Sequence, residues 1–182
     1  QSIQAKTPKH AALLPVASLE KCIQTLDAEQ YPVHALYRSA WRFLKHYPDA
    51  ELESFKDLES SLKRRGALID PAKRKALQTL LRIFATAQYN QGNATYLQLA
   101  FSRYQSDLEA GDLYFNGKIH SQTLLNMVVL GLRSTAFSWV EQLLVDHGEM
   151  IWEEDYTTQI LGLNYALLAF YRGNTEQALD CL

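Results

Sequence analysis

The chain has little of what builds disulfide-rich, membrane-spanning or disordered proteins. Its 182 residues include only two cysteines, Cys22 and Cys181, which form no metal or disulfide spacing and which we expect to pack as free thiols. Eight glycines and five prolines argue against long low-complexity stretches. No window approaches the roughly 20 apolar residues of a membrane span, and no signal-peptide pattern is present. We therefore expect a cytoplasmic protein with a packed core.

The motifs of common enzymes are also missing. The five histidines are scattered, and no Ser/His/Asp, Cys/His or HExxH grouping can be assembled. The segment from Gly111 to Lys118 resembles a phosphate-binding loop, but it has one residue too many between its glycines and Ile119 where Ser or Thr is needed. We interpret it as a loop with an Asn116-Gly117 turn. We expect no catalytic residues, no metal site, no cofactor and no enzymatic activity.

Charge is distributed unevenly, although the net charge is only −2. Residues 56–82 hold eight basic and three acidic residues, whereas residues 141–180 hold eight acidic residues and one cation, Arg172. The acidic residues around Glu153 read as solvated helix ends. The basic clusters could contact phosphates of a nucleic acid or simply decorate solvated helix faces. This alternative basic patch comprises Lys63, Arg64, Arg65, Lys73, Arg74 and Lys75.

Apolar residues recur at helical spacing along the chain, and no segment alternates as a strand does, so the chain is predicted to be all-α. We expect residues 1–11 to be disordered and residues 12–182 to form a single α-helical repeat domain of about eight to nine helices. One helix is predicted through Val16 and Leu26, and another from Pro32 with a wide apolar stripe. Asp49, Asp70 and Asn93 are predicted to cap the helices that follow them. The predicted stripe from Pro32 consists of Val33, Leu36, Tyr37, Ala40, Trp41, Leu44 and Tyr47.

Two stretches of the second half overlay without a gap. Residues 126–144 match residues 164–182 at a shift of 38, and a weaker match places Ile83 at the position of Asn126 and Asn164. Small or short residues (Ala85, Val128 and Ala166) follow two positions later in each unit. A period of this length, with two helices in each unit, is the signature of a stacked helical array.

The stretch NYALLAFYRGNTEQAL resembles a tetratricopeptide repeat, since Asn164, Ala166, Gly173 and Ala178 match its pattern of Asn, small residue, turn Gly and Ala. The spacings of 43 and 38 residues exceed the family's period of about 34, and the usual proline after the second helix is absent. The resemblance implies an α-solenoid: a right-handed stack of antiparallel helix pairs. A compact irregular helical bundle is the alternative.

The resemblance also implies a groove, lined by the first helix of each pair, that binds an extended protein or peptide partner. We expect a non-catalytic protein-interaction scaffold. The alternatives are a nucleic-acid-contacting domain, using the basic patch, and a regulatory domain of a larger enzyme. Leu163, Leu167 and Phe170 could be core, groove or the docking face for a further repeat, because the chain reads as a fragment of a longer protein. The partner-binding positions implied by the resemblance are Arg82, Tyr89, Asn90, Gln122, Arg133 and Tyr171.

Overall fold

The computed structural model of the chain describes Asp27 and residues 29–182. The expected disorder of residues 1–11, the expected helix through Val16 and Leu26, and Cys22 lie outside the described residues. Cys181 is a half-buried free cysteine.

Helices account for the regular structure of residues 29–182, which contain two isolated β-bridges and no strand, so the all-α prediction is confirmed. None of these helices is long and apolar enough to cross a membrane. Two short 3-10 turns cover Gly66–Leu68 and Glu154–Tyr156. The α-helices are α1 (Pro32–Lys45), α2 (Leu52–Arg65), α3 (Pro71–Asn90), α4 (Tyr96–Glu109), α5 (Ser121–Arg133), α6 (Phe137–His147), α7 (Thr157–Tyr171) and α8 (Thr175–Asp180).

The chain separates into two compact units, one ending at Arg74 and the other formed by Lys75–Leu182. The boundary falls in the first turn of α3. Each unit is described by itself below.

In the first unit, α1 and α2 pack against each other around a small apolar core. The rings of Phe43 and Phe55 meet at 6.3 Å, and the hydroxyls of Ser39 and Ser61 form a buried hydrogen bond of 2.9 Å. The predicted stripe of α1 is too wide, because four of its seven members, Tyr37, Trp41, Leu44 and Tyr47, are more than a third exposed. The Ser39–Ser61 bond satisfies both hydroxyls, so a polar residue occupies the buried face where the stripe predicted only apolar ones.

In the second unit, successive helices pack against one another. Helix α4 packs on α5, α5 packs on α6, and α7 packs on both α5 and α6 before pairing with α8. Helix α3 joins α4 through the edge-to-face contact of Phe84 with Tyr96 at 5.7 Å. Ala85, Val128 and Ala166, the equivalent small positions, are all buried. Their size lets neighbouring helices approach closely.

Helices α3, α5 and α7 end in turns of the same geometry. One residue in each turn has a positive φ: Gly92 at 97°, Thr135 at 58° and Gly173 at 82°. In each case the N–H of the next residue donates to the carbonyl oxygen five residues earlier, at 3.1, 2.8 and 2.9 Å respectively. This pattern is the Schellman motif, which satisfies the last carbonyls of a helix and reverses the chain. The three turns lie 43 and then 38 residues apart.

Of the three predicted caps, one is confirmed and two are wrong. Asp70 accepts hydrogen bonds at 2.9 and 3.3 Å from the N–H groups of the second and third residues after it. Helix α2 is instead preceded by Glu51 and helix α4 by Thr95, and neither side chain forms a capping bond. Asp49 and Asn93 therefore lie two residues too early: an extended Glu51 follows Asp49, and one more turn follows Asn93, before each helix begins.

Candidate functional site

Three predicted partner-binding residues, from three different helices, meet on one surface of the second unit. Tyr89 lies at the end of α3, Arg133 at the end of α5 and Tyr171 at the end of α7. Arg133 Nη1 donates to the Tyr89 hydroxyl at 2.7 Å, and the guanidinium carbon lies 5.5 Å from the centre of the Tyr89 ring. The Tyr171 side chain lies near the same guanidinium and contributes to raising its pKa. We call these three residues the Tyr–Arg cluster.

Among the described residues, no carboxylate forms an ion pair with Arg133. Its side chain is exposed, and its hydrogen-bond partner is the Tyr89 hydroxyl. That bond, with a contribution from Tyr171, raises the pKa of Arg133 above its usual range. Because a guanidinium has five N–H donors in a planar fork, donors remain for a further acceptor. A carboxylate bound in this way forms two parallel, charge-assisted hydrogen bonds.

Arg82, by contrast, has a carboxylate partner within the chain. Its Nη1 donates to Asp107 Oδ2 at 2.8 Å, and its guanidinium lies 5.2 Å from the centre of the Tyr104 ring. The Asp107 side chain is only 2% exposed. Burial raises the pKa of Asp107, while the nearby charges of Arg82 and Arg103 act in the opposite direction. This ion pair links α3 to α4, so Arg82 contributes to the packing of these two helices.

Gln122 belongs to the same inner network as Arg82. Its Nε2 donates to Asn126 Oδ1 at 3.1 Å, and Asn126 Nδ2 donates to the Tyr104 hydroxyl at 3.1 Å. Tyr104 therefore links Arg82 with Gln122 across three helices. Asn90 is exposed beside Tyr89 at the end of α3. The structure thus brings Tyr89, Arg133 and Tyr171 together, and it gathers Arg82 and Gln122 around Tyr104.

Sequence reasoning missed Tyr104 and Asp107 as the centre of that network. The signal was present, because Asp107 follows Tyr104 by three residues and so lies on the apolar face that runs through Phe101 and Leu108. A carboxylate on a buried helical face needs a cation or several donors nearby. Arg82 supplies that charge.

The basic patch divides between the two units. Lys63, Arg64 and Arg65 close α2, and Lys73 and Arg74 open α3 within the first unit. The Arg74 side chain lies over Gly66, where an added Cβ would be 3.2 Å from the Arg74 Cδ. Lys75 belongs to the second unit and pairs with Asp112 at 3.3 Å.

Two segments that resemble ligand-binding sites, residues 111–118 and the acidic residues around Glu153, form hydrogen bonds within the chain. The Asn116-Gly117 turn is confirmed, since both residues have positive φ and the flanking Phe115 and Lys118 exchange backbone hydrogen bonds of 2.8 and 3.0 Å. In the acidic cluster, Glu153 accepts a hydrogen bond of 3.0 Å from the Ser121 N–H. Across Asp27 and residues 29–182, no group of three His, Cys, Asp or Glu side chains is placed to hold a metal ion.

Comparisons of the chain with protein-family models, with curated proteins and with solved structures found no match. A functional proposal is therefore argued from the structure itself, beginning with the surface that the Tyr–Arg cluster forms.

Proposed function

We propose that this chain is a non-catalytic protein-interaction module whose Tyr–Arg cluster holds an acidic segment of a protein or peptide partner. One observation carries the proposal: Arg133 is exposed and hydrogen-bonded to the Tyr89 phenol, with no carboxylate to neutralise it among the described residues. Arg82, by contrast, is paired with the buried Asp107.

The chemistry of the cluster suits protein recognition. Tyrosine and arginine are the residue types that most often dominate the binding energy of protein interfaces, together with tryptophan. Tyr89 holds the guanidinium through a hydrogen bond and a cation–π contact. Binding a partner therefore costs little conformational entropy of the Arg133 side chain. The exposed amide of Asn90 adds a donor and an acceptor for a peptide backbone.

The helical scaffold supports the same proposal. The three residues of the cluster stand at the ends of α3, α5 and α7, which close with turns of one geometry. Rigid elements hold a binding surface more accurately than loops do. A tetratricopeptide-like array with its partner on the first helices of successive pairs would use these helices.

A peptide-display selection on the intact chain tests the proposal. We expect peptides selected on the wild-type chain to be enriched in Asp and Glu, and selection in parallel on Arg133→Gln to lose that enrichment. A selected peptide should bind the variant about 10-fold more weakly or worse, which corresponds to about 1.4 kcal/mol or more. Lys73→Gln, which removes a charge from the basic patch, should bind normally. Equal affinity for the wild type and Arg133→Gln would contradict the proposal.

The nucleic-acid alternative has one observation in its favour. Within the first unit, Lys63, Arg64, Lys73 and Arg74 are all exposed, and none has a carboxylate partner among the described residues. If they contact phosphates, affinity for nucleic acid should fall steeply as salt rises, and Lys73→Gln should reduce it while Arg133→Gln should not. Binding that is insensitive to both salt and Lys73→Gln would eliminate this alternative.

A further inference from the structure

An apolar trough lies along the α7/α8 pair. None of the Tyr–Arg cluster lines it, although its Phe170 ring lies 6.1 Å from the Tyr171 ring. Its volume is about 360 Å³. Helix α7 contributes side chains at i, i+3, i+4 and i+7, and α8 with the residues that follow it contributes side chains at the same spacing, so two stripes form its walls. Several of these side chains are well exposed, including Phe170 at 61% and Leu179 at 73%. The trough is lined by Leu163, Ala166, Leu167, Phe170, Thr175, Ala178, Leu179 and Leu182.

Part of the corresponding surface one pair earlier is covered by a helix. At a shift of 38 residues, the exposed Phe170 and Leu182 map onto Leu132 and Leu144, which are both buried. Leu179 maps onto Glu141, which is exposed. Helix α7 packs on both α5 and α6. The molecule therefore contains its own example of what fits against such a pair.

We propose that the trough docks an amphipathic α-helix of another protein, with apolar residues at helical spacing and basic residues beside them. Among the lining side chains only Thr175 carries a polar atom. An extended peptide pressed into the trough would leave backbone N–H and C=O groups without partners, whereas a helix satisfies those groups internally. Two helical ridges with a groove between them also match the way helices pack on one another.

The acidic residues beside the trough favour a helix that carries basic residues. Glu176 and Asp180 are exposed on the flank of α8, beside Leu179. In the covered pair, Arg172 at the end of the covering helix α7 donates to Glu141 of α6 at 2.6 Å, although Glu141 is the equivalent of Leu179. A second copy of this chain docked trough to trough would bring the same two carboxylates and no cation from residues 174–182, which hold no Lys or Arg. An uncompensated excess of one charge sign disfavours that arrangement.

The test uses a defined probe: a fluorescein-labelled, Ala-rich peptide of about 18 residues, long enough to form a helix. It carries Leu at i, i+3, i+4 and i+7 with Lys on both flanks. A matched probe replaces every Lys with Glu. Fluorescence polarisation with the intact chain should show that the basic probe binds at least about 10-fold more tightly than the acidic one. The chain alone should sediment as a monomer.

Variants at exposed positions report on the trough without disturbing the core. Phe170→Ala and Leu179→Ala should each weaken the basic probe about 5- to 10-fold. Val145→Ala, which shortens an apolar side chain 65% exposed on α6, should bind as the wild type does. Glu176→Lys combined with Asp180→Lys should reverse the preference between the probes.

Three results would overturn the proposal. The first is equal affinity for the basic and acidic probes, and the second is equal weakening by Val145→Ala and Leu179→Ala. The third is self-association of the chain that Leu179→Asp abolishes, because a second copy would then occupy the trough.

Discussion

Leu144 and Leu182 stand at equivalent positions of two successive helix pairs, yet the exposed fractions of their side chains differ widely. Leu144, in α6, is 2% exposed, whereas Leu182, just after α8, is 81% exposed. The two pairs share a register of 38 residues and a turn of the same geometry. The difference between them is that α7 packs on the α5/α6 pair. In this unit, the burial of a side chain depends on its position along the helix and also on whether another helix packs on its helix pair.

The two pairs also solve their internal packing differently. In the α5/α6 pair, Gly131 faces Val140, and a Cβ added to Gly131 would lie 2.6 Å from the Val140 Cγ2. The equivalent residues of the α7/α8 pair are Ala169 and Ala178, both buried. One pair thus combines the smallest residue with a β-branched one, and the other uses two residues of intermediate size. In both pairs a change in the size of one side chain is compensated by the side chain that faces it, as a close-packed interface requires.

The largest expected effect is the difference between truncating Leu144 and truncating Leu182. We expect Leu144→Ala to lower the free energy of unfolding by about 2–5 kcal/mol, because it opens a cavity in the covered pair. Leu182→Ala should change it by less than about 0.5 kcal/mol, because the side chain is mostly in solvent. Urea denaturation followed by circular dichroism measures both variants. Similar losses in the two variants would refute the contrast between covered and open pairs.

A smaller effect is expected from the packing of Gly131. We expect Gly131→Ala to lower the free energy of unfolding by about 1–3 kcal/mol, because Val140 has to move. The double variant Gly131→Ala with Val140→Ala copies the arrangement of the α7/α8 pair. Its destabilisation should fall short of the sum of the two single variants by about 0.5–3 kcal/mol, as expected for residues in direct contact. Strict additivity in a double-mutant cycle would show that the two residues do not compete for space.

The smallest expected effect concerns the ion pair between the covered pair and its covering helix. The hydrogen bond and charge of Arg172 lower the pKa of Glu141 below the usual glutamate range. A lowered folded-state pKa contributes stability above the unfolded glutamate pKa, and this contribution is lost as pH falls through the folded pKa. Carbon-13 NMR titration of the Glu141 carboxyl should show its pKa rise in Arg172→Gln and return most of the way in Arg172→Lys. An unchanged titration in Arg172→Gln would mean that the bridge is not populated in solution.

Much of the second unit could be predicted from the sequence, because the relevant signals are local or repeat at a fixed spacing. Helical periodicity predicted an all-α chain, and the 38-residue shift predicted equivalent positions at Val128 and Ala166, which are both buried. Carrying groove positions over from the resemblance placed Tyr89, Arg133 and Tyr171 in one set, and they meet in the structure. The tetratricopeptide identity and the partner-binding role remain predictions.

Other features depend on contacts between distant residues, which one sequence does not reveal. The pairing of Arg82 with Asp107 spans 25 residues and uses one of the predicted groove arginines inside the chain. The Ser39–Ser61 hydrogen bond places polar residues in the first unit's core, where the periodicity expected apolar ones. The predicted caps at Asp49 and Asn93 were wrong because local sequence fixes helix ends only to within a residue or two.

Amide hydrogen exchange of the intact chain, with and without the basic helical probe, tests the contrast between the covered and open pairs most directly. We expect the amides of 137–147 to be protected in the free chain and those of 175–182 to exchange quickly, because α8 has only six residues and packs mainly on α7, whereas α6 packs on both α5 and α7. Addition of the probe should slow exchange in 175–182 and along the trough face of α7, and it should leave 137–147 unchanged. Equal protection of the two segments in the free chain, or no change at 175–182 on addition of the probe, would contradict the account.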